Sequence, residues 1–464
     1  MTETKRSYPA VLAVTGVALF MIVLDNLIVL SSLPSIERSL GASLEQLEWV
    51  VDAYILSFAV LMLTGAALGE RFGRRRVLVG GLLVFSLSSA AAALSTGSEM
   101  LIAARVVQGA GSAVLMPLTL TLLSTNVAGE RRASALGICS AIAGLGVALG
   151  PIAGGVLTSA LSWHWIFWVN VPVGLTVAWA APRVLEESRG APMPLDLPGL
   201  ALATGGLFGL VWATVRGNAI GWDAPATFAA YGVGLVLLAA FVRREATAPN
   251  ALLPLNLFRH RTFSIANSTG FLVHFAMFGA FFLVIQFLAG VRGEGPIATG
   301  LYTLPWTLMP LVVSPIAGRL GQKVHPAAVI FAGLTLITVG ISTLALILTP
   351  ETTALELAPA LWAIGVGIGL MLPNLISLAL GSVPAQDVGR ASATLSTARQ
   401  LGSVFGIAVP VAIFELAGGR GSAADIVSGS TAALTATAIA AAAGALLTLA
   451  VVPRVRAAVA LARA

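Results

Sequence analysis

Residues 11–33 read VLAVTGVALFMIVLDNLIVLSSL, a run in which Asp25 is the only charged side chain. A helix of roughly 20 apolar residues crosses the hydrocarbon core of a bilayer, because all backbone polar groups are satisfied within the segment. The run is too long for the apolar core of a signal peptide, and no convincing cleavage site follows it. It therefore predicts a retained first transmembrane helix.

Similar apolar segments recur along the whole chain. They lie near residues 47–68, 76–95, 100–124, 134–158, 163–182, 198–216, 226–242, 265–289, 298–318, 327–349, 357–380, 391–415 and 431–452. With the first run they predict an all-α integral membrane protein of about fourteen transmembrane helices.

The longest connections between these segments, around residues 183–197 and 243–264, enclose spans 7 and 8. This spacing predicts two six-helix pseudo-symmetric bundles and two linking helices. We expect an N-terminal bundle at residues 1–190, the linking spans with their cytoplasmic loops at 191–262, and a C-terminal bundle at 263–464. Duplicated halves of this kind are common in secondary transporters.

The composition excludes a water-soluble protein, because 57% of the residues are hydrophobic, 10% are charged and the mean hydropathy is +0.94. The net charge of +6 would suggest nucleic acid in a soluble chain. Here the basic residues cluster between apolar stretches, as expected for loops facing anionic lipid, so no nucleic-acid partner is predicted. A single cysteine, Cys139, excludes a disulfide framework and a multi-cysteine metal site.

The basic residues are distributed unevenly between the two sets of alternating loops. The sparse set has only Arg38, Arg216, Arg292 and Arg420, and Arg105 lies inside a span. About 21 of the 26 lie on the side of both termini. The positive-inside rule therefore predicts a multi-pass protein of the cell membrane with both termini in the cytoplasm.

The loop between spans 2 and 3, residues 66–76, reads AALGERFGRRR. An acid at a helix end that faces a basic cluster can hold neighbouring helices in one conformation and release them in another. We expect Glu70, Arg71, Gly73 and Arg74 to form such a conformational latch. The alternative is a charge cluster that only fixes topology.

Span 4 contains Leu101-x3-Arg105-x2-Gln108-Gly109-x-Gly111. An arginine inside a span is costly and is a functional-site hypothesis by default. Because Arg105 lies only four residues after Leu101, snorkelling toward the exterior interface is the alternative.

Span 5 contains a glycine series at Gly146, Gly150, Gly154 and Gly155, together with Pro151. Glycines at this spacing let helices approach closely, and proline removes a backbone hydrogen bond so that a helix can bend. A structural packing role and a functional role coincide in such a motif.

Together these motifs resemble those of the major facilitator superfamily, specifically its fourteen-span drug:proton antiporter family. The loop at residues 66–76 resembles the superfamily signature, with Ala66 in place of Gly and Glu70 in place of Asp. The span 5 series is similar to the antiporter motif associated with exporters. Further likeness to the family occurs at residues 24–34, 101–111, 163–174 and 389–402. The resemblance implies proton-driven export.

Few ionisable side chains lie at membrane depth. A carboxyl there is costly to ionise, can exchange a proton during a transport cycle, and can attract a lipophilic cation when ionised. We predict proton coupling by Asp25, Asp52 and Arg105, with Asp25 as the first choice. Asp52 could equally be a solvated acid near the exterior mouth. The predicted substrate-binding residues are Asp25, Asp52, Gln108, His274, Gln286 and Glu415, although a lone intramembrane histidine such as His274 is more often a packing residue.

Other function classes lack their motifs. The sequence has no Gly-x4-Gly-Lys-Ser/Thr loop, HExxH, Cys/His cluster or Gly-x-Ser-x-Gly, so neither an ATP-driven pump nor an enzyme is expected, and no cofactor or metal is predicted. The leading hypothesis is a monomeric antiporter that exchanges protons for small amphiphilic drugs, antibiotics or toxic metabolites. An importer or facilitator of the same fold is the alternative.

Overall fold

The computed structural model describes residues 7–127, 129–189, 196–248, 253, 255–384, 387–419 and 421–451. The chain ends, which we predict to be cytoplasmic, and the predicted boundary at residues 190 and 191 lie outside these ranges. The described residues form α-helices, a short 3-10 helix at Leu255–Arg259, a π-helical segment at Phe287–Val291 and no strand, so the predicted all-α fold is confirmed. The helices are α1 (Tyr8–Leu40), α2 (Leu44–Phe72), α3 (Arg74–Ala93), α4 (Ser98–Asn126), α5 (Gly129–Ala160), α6 (Trp165–Trp168), α7 (Asn170–Val184), α8 (Leu197–Ile220), α9 (Pro225–Thr247), α10 (Arg261–Gln286), α11 (Pro296–Tyr302), α12 (Leu304–Lys323), α13 (Pro326–Ile347), α14 (Ala354–Leu380), α15 (Val388–Leu416) and α16 (Ala423–Leu449).

Within the described ranges, thirteen helical segments are long and apolar enough to cross a membrane. The number rises to fourteen if the two parts of α2, Leu44–Met62 and Thr64–Phe72, form one bent span. The prediction of about fourteen transmembrane helices is thus confirmed.

Local sequence explains where several helices begin and end. The N-termini of α2, α14 and α16 each carry a capping box, in which a serine or threonine and the residue three positions later exchange hydrogen bonds with the backbone. Gly41 ends α1 with φ of +62°, a left-handed conformation that glycine adopts without a steric penalty.

Two predicted spans are each divided into two helices, with the breaks at Val169 and Thr303. Pro172 and Pro305 lie in the first turn of the second helix of each pair. Proline lacks a backbone N–H, but this costs little in a first turn. The N–H groups of a first turn have no acceptor within the helix, whichever residue carries them. A continuous apolar sequence therefore does not indicate where a span is divided into two helices.

The chain divides into two compact units, Met1–Leu207 with Leu237–Leu252, and Phe208–Val236 with Leu253–Ala464. In unit 1, α1 packs against α5, α2 and α3 pack against α4, and α7 packs against α1 and α3. In unit 2, α10 packs against α15, α12 and α13 pack against α14, and α16 packs against α10 and α13. The order of partners is the same in both units, as expected for duplicated bundles, whereas the exact domain boundaries stay a prediction.

The linking helices α8 and α9 contact each other at two levels. A Cβ on Gly209 would lie 3.1 Å from the carbonyl oxygen of Ala230 and 3.2 Å from the Cα of Gly234. At the other level, the Nε of Arg244 donates to both carboxylate oxygens of Asp196, at 2.7 and 2.9 Å. These bonds hold the pKa of Asp196 below its usual range.

Candidate functional site

Asp25 lies in the interior of the 33-residue helix α1 and is fully buried. Its Oδ2 accepts a hydrogen bond from Nη1 of Arg105 at 2.6 Å. Its Oδ1 accepts from Nε2 of Gln108 at 2.9 Å and from Nδ2 of Asn170 at 2.8 Å. Helices α1, α4 and α7 therefore converge on one carboxylate.

The guanidinium of Arg105 is held from several directions. Its Nε donates to the carbonyl oxygen of Val50 at 3.1 Å, and its Nη1 donates to Oε1 of Gln108 at 2.8 Å. The guanidinium carbon lies 4.0 Å from the ring centroid of Tyr54, a cation–π distance. Arg105 is fully buried and paired with Asp25, so its side chain does not snorkel toward an interface.

Ser89 completes this arrangement, which we call the Asp25 cluster: Asp25, Ser89, Arg105, Gln108 and Asn170. The hydroxyl oxygen of Ser89 accepts from the amides of Gln108 and Asn170, both at 3.2 Å, and the hydroxyl donates to the carbonyl oxygen of Phe167 at 3.1 Å. Gln108 is thus engaged within the cluster, although its substrate-binding role stays a prediction. Asn170 and Ser89 were not among the residues predicted from the sequence, in which the amide of Asn170 within an apolar span was the available signal.

A buried ion pair of this kind compensates both charges, and its charge-assisted hydrogen bonds are stronger than neutral ones. Removing one member leaves an uncompensated buried charge, at a cost of about 3–5 kcal/mol. The pair is therefore sensitive to any event, such as protonation of Asp25, that removes the negative charge. That is the chemistry a proton-coupled conformational change requires.

Asp52 is the second acid of unit 1 and has the opposite surroundings. It is fully buried on α2, and neither carboxylate oxygen accepts a hydrogen bond from any described residue. It is not a solvated acid in this structure. A buried polar group without a partner is costly, and such groups are concentrated at sites where a ligand, an ion or a proton supplies what is missing.

The predicted latch is formed in part by Glu70 and Arg74 at the junction of α2 and α3. The Nε and Nη2 of Arg74 donate to the two carboxylate oxygens of Glu70, at 2.9 and 2.8 Å. Arg71 does not join this pair, because its guanidinium is exposed and lies 5.3 Å from the ring centroid of Phe72. The latch function of these residues stays a prediction.

A second acid, Glu187, contacts the same junction from the segment after α7. Its carboxylate accepts from the backbone N–H groups of Arg75 at 3.0 Å and Arg76 at 3.2 Å, in the first turn of α3. Anions are favoured there by the helix dipole and the unpaired N–H groups. A Cβ on Gly73, whose φ is +106°, would lie 2.9 Å from this carboxylate. Glu187 was not predicted from the sequence, in which its signal was an acidic pair, Glu186 and Glu187, within a basic set of loops.

The glycine series of α5 lies against α1. A Cβ on Gly146 would meet the carbonyl oxygen of Phe20 at 3.1 Å, and one on Gly150 would meet Cβ of Leu27 at 2.7 Å. One on Gly154 would meet the carbonyl oxygen of Ile28 at 2.8 Å. The missing side chains therefore permit the close approach of α5 to the helix that carries Asp25.

The other residues of the span 5 motif and the other predicted substrate-binding residues lie outside the Asp25 cluster. Pro151 lies inside α5, and both it and Gly155 are buried. In unit 2, His274 is 5% exposed and accepts a hydrogen bond from Arg399, while Gln286 and Glu415 are half-buried near the ends of α10 and α15. The structure thus brings Asp25, Arg105 and Gln108 into one cluster, and Asp52, His274, Gln286 and Glu415 lie outside it. Within the described residues no group of three or more His, Cys, Asp or Glu could hold a metal ion.

Comparison with known proteins gives a consistent result. A family model, the Major Facilitator Superfamily, matches residues 15–407. The chain is 36% identical over 400 residues to the multidrug resistance protein Stp of Mycobacterium tuberculosis, covering 86% of this chain and 74% of that protein. It is 38% identical over 417 residues to the cephamycin export protein CmcT of Amycolatopsis lactamdurans, covering 88% and 85%. Among solved structures, the human organic anion transporter MFSD10 matches with a TM-score of 0.64 at 16% identity, over 95% of this chain and 99% of that one, which indicates a shared fold.

Proposed function

Because this chain belongs to the Major Facilitator Superfamily, and is accordingly a transporter, we propose that it is a proton-coupled antiporter. It exports small amphiphilic drugs, antibiotics or toxic metabolites across the cell membrane. We further propose that it works as a monomer with both termini in the cytoplasm, as the distribution of basic residues predicts.

The observation that carries this proposal is the ion pair between Asp25 and Arg105, at 2.6 Å and fully buried. When a proton binds Asp25, the carboxyl no longer compensates the guanidinium, and the balance between conformations changes. Proton loss restores the pair. Coupling then follows because protonated and deprotonated Asp25 favour different conformations of unit 1.

Asp52 has a distinct part in this proposal. Its carboxylate has no donor among the described residues, so an ionised Asp52 is available to a cationic substrate or can itself take up a proton. Substrate contacts from Gln108, His274, Gln286 and Glu415 are further proposals of the same kind.

The direction of transport is supported by the names of related proteins, which describe resistance and export. The glycine series of α5, which resembles the antiporter motif of exporters, supports the same direction. An importer or facilitator of the same fold for a small metabolite is the alternative.

The test uses the full chain reconstituted in lipid vesicles with a defined orientation. A pH gradient, acidic on the exterior-facing side of the protein, should drive ethidium toward that side against its own gradient, and an uncoupler should abolish the accumulation. The same gradient distinguishes the alternatives, because a proton symporter would instead concentrate substrate on the cytoplasmic-facing side. Reversing the gradient should reverse the direction of flux in either case. Flux that is indifferent to both gradients would contradict proton coupling.

A further inference from the structure

Unit 2 contains a second intramembrane arginine, Arg399, on α15. Its inclusion among the basic residues on the side of the termini was wrong, because it lies inside a span. It lies eleven residues after Val388, which is about 17 Å along the helix axis at the usual rise per residue. Its partner His274 lies thirteen residues after Arg261, halfway along the 26-residue helix α10. The pair is therefore deep within two spans, at the level where secondary transporters hold their substrates.

The hydrogen bonds define the state of both side chains. The Nε of Arg399 lies 3.0 Å from Nε2 of His274, and since a guanidinium can only donate, Nε2 must accept. The Nδ1–H then donates to the carbonyl oxygen of Gly270 at 3.0 Å. His274 is consequently a neutral tautomer that orients the guanidinium without compensating its charge.

No carboxylate of the described residues pairs with Arg399, and its terminal Nη nitrogens have no acceptor among them. Arg105 in unit 1 is different, because Asp25 compensates it. A cation held at this depth without a counter-charge is costly, so stability alone would favour a neutral residue at position 399. Arg399 is half-buried, so part of its surface is not covered by the protein.

An aromatic ring lies beside His274, the partner of this cation. The half-buried ring of Phe278 is nearly parallel to the imidazole of His274, with 20° between their planes and 6.4 Å between centroids. An apolar surface next to one oriented polar group is the usual composition of a small-molecule site. A flat apolar body can pack on the ring while an anionic group meets the guanidinium.

From this geometry we propose that Arg399 binds the carboxylate of an amphiphilic substrate through its two Nη nitrogens, with His274 as the residue that positions the guanidinium. The proposal deepens the proposed function, on which it rests, by adding a substrate class: aromatic or otherwise apolar carboxylic acids. Guanidinium is suited to this task, because its planar fork matches the two oxygens of a carboxylate.

The experiment measures binding to the purified full-length protein in a neutral detergent without anionic lipid. The probes are pyrenebutyrate and its methyl ester, which share an apolar body and differ in charge. The parent protein should bind the acid more tightly than the ester. Arg399→Gln should weaken binding of the acid by about tenfold or more, since a charge-assisted contact is lost, and should leave the ester within about twofold.

Further variants test the roles of the guanidinium shape, of His274 and of positive charge elsewhere on α15. Arg399→Lys keeps the charge without the fork and should recover part of the affinity for the acid. His274→Gln keeps an acceptor for Nε and should retain more affinity than His274→Ala. Arg390→Gln removes an exposed positive charge from the same helix and should change neither probe.

Equal weakening of acid and ester by Arg399→Gln would overturn the proposal, because it would indicate a packing role only. A parent that binds the two probes equally would overturn it too, even if every Arg399 variant failed to fold. Binding is measured independently of transport, so failure of the carboxylate site can be distinguished from failure of the proposed antiport function. Charge-dependent binding without proton-driven ethidium flux contradicts only the antiport mechanism, and flux without charge-dependent binding contradicts only the carboxylate site.

Discussion

The Nη1 of Arg105 and the Oδ2 of Asp25 lie 2.6 Å apart, although the two residues are separated by 80 positions in the chain. Neither side chain is more than 1% exposed. Two charges that would be prohibitive alone are thus retained together inside the bilayer. A variant that removes one charge of this pair should have two effects that can be measured separately. One is on the stability of the protein and the other is on proton coupling.

Asp25→Asn should abolish uphill, pH-driven export of every substrate while leaving downhill exchange measurable, because asparagine cannot carry a proton. The single variant also leaves Arg105 without a counter-charge, so its thermal stability in detergent should fall. Asp25→Asn combined with Arg105→Gln should recover stability without recovering coupling. Vesicles in which Asp25→Asn still concentrates both a cationic and a neutral substrate would remove Asp25 from the coupling mechanism.

Asp52→Asn should behave differently, since the Asp52 carboxylate has no partner among the described residues. We expect thermal stability equal to or above that of the parent, because no ion pair is lost and a buried charge is avoided. Export of a cationic substrate should weaken, whereas a neutral one should be spared, because only the cation loses a Coulomb partner. Uniform loss of pH-driven flux for both substrates would instead identify Asp52 as a proton carrier.

Glu187→Gln should slow turnover with little change in expression, as should Glu70→Gln, because each removes a charged contact at the junction of α2 and α3 without altering a span. The rate of substrate flux at saturating substrate is the measurement. Glu99→Gln changes an exposed acid in the first turn of α4 and is the control. If all three variants match the parent rate, the charges at this junction serve topology alone.

Gly150→Leu and Gly154→Leu should each abolish transport, since even a Cβ at these positions would collide with α1. Gly232→Leu on α9 is the control, because a Cβ there has no atom within 4 Å among those described. Flux and the amount of protein in the membrane should be measured together. Equal effects at positions 150 and 232 would mean that the contact between α5 and α1 has no special role.

The spans could be predicted from the sequence, because a run of about twenty apolar residues is long enough to cross a bilayer as a helix and is rarely found in another structure. It also singled out Asp25, Asp52 and Arg105, because charge is conspicuous in such a background. It could not pair Asp25 with Arg105, since helical periodicity says nothing about which distant helices face each other. Asn170 and Ser89 were missed because an amide or a hydroxyl costs little in a helix, where it can bond to its own backbone. The break at Val169 was missed because apolar composition continues across it.

The contact between the α5 glycines and the backbone of α1 has a mechanical consequence. A single added carbon would collide with α1 at Gly150 and Gly154, and would make an unusually tight contact with it at Gly146. Surfaces matched this closely cannot slide past each other by a fraction of a turn without steric overlap. We therefore expect α1 and α5 to move together as one rigid body during the transport cycle. Access to Asp25 from alternate sides of the membrane would then be controlled by the side chains of α4 and α7 that surround it.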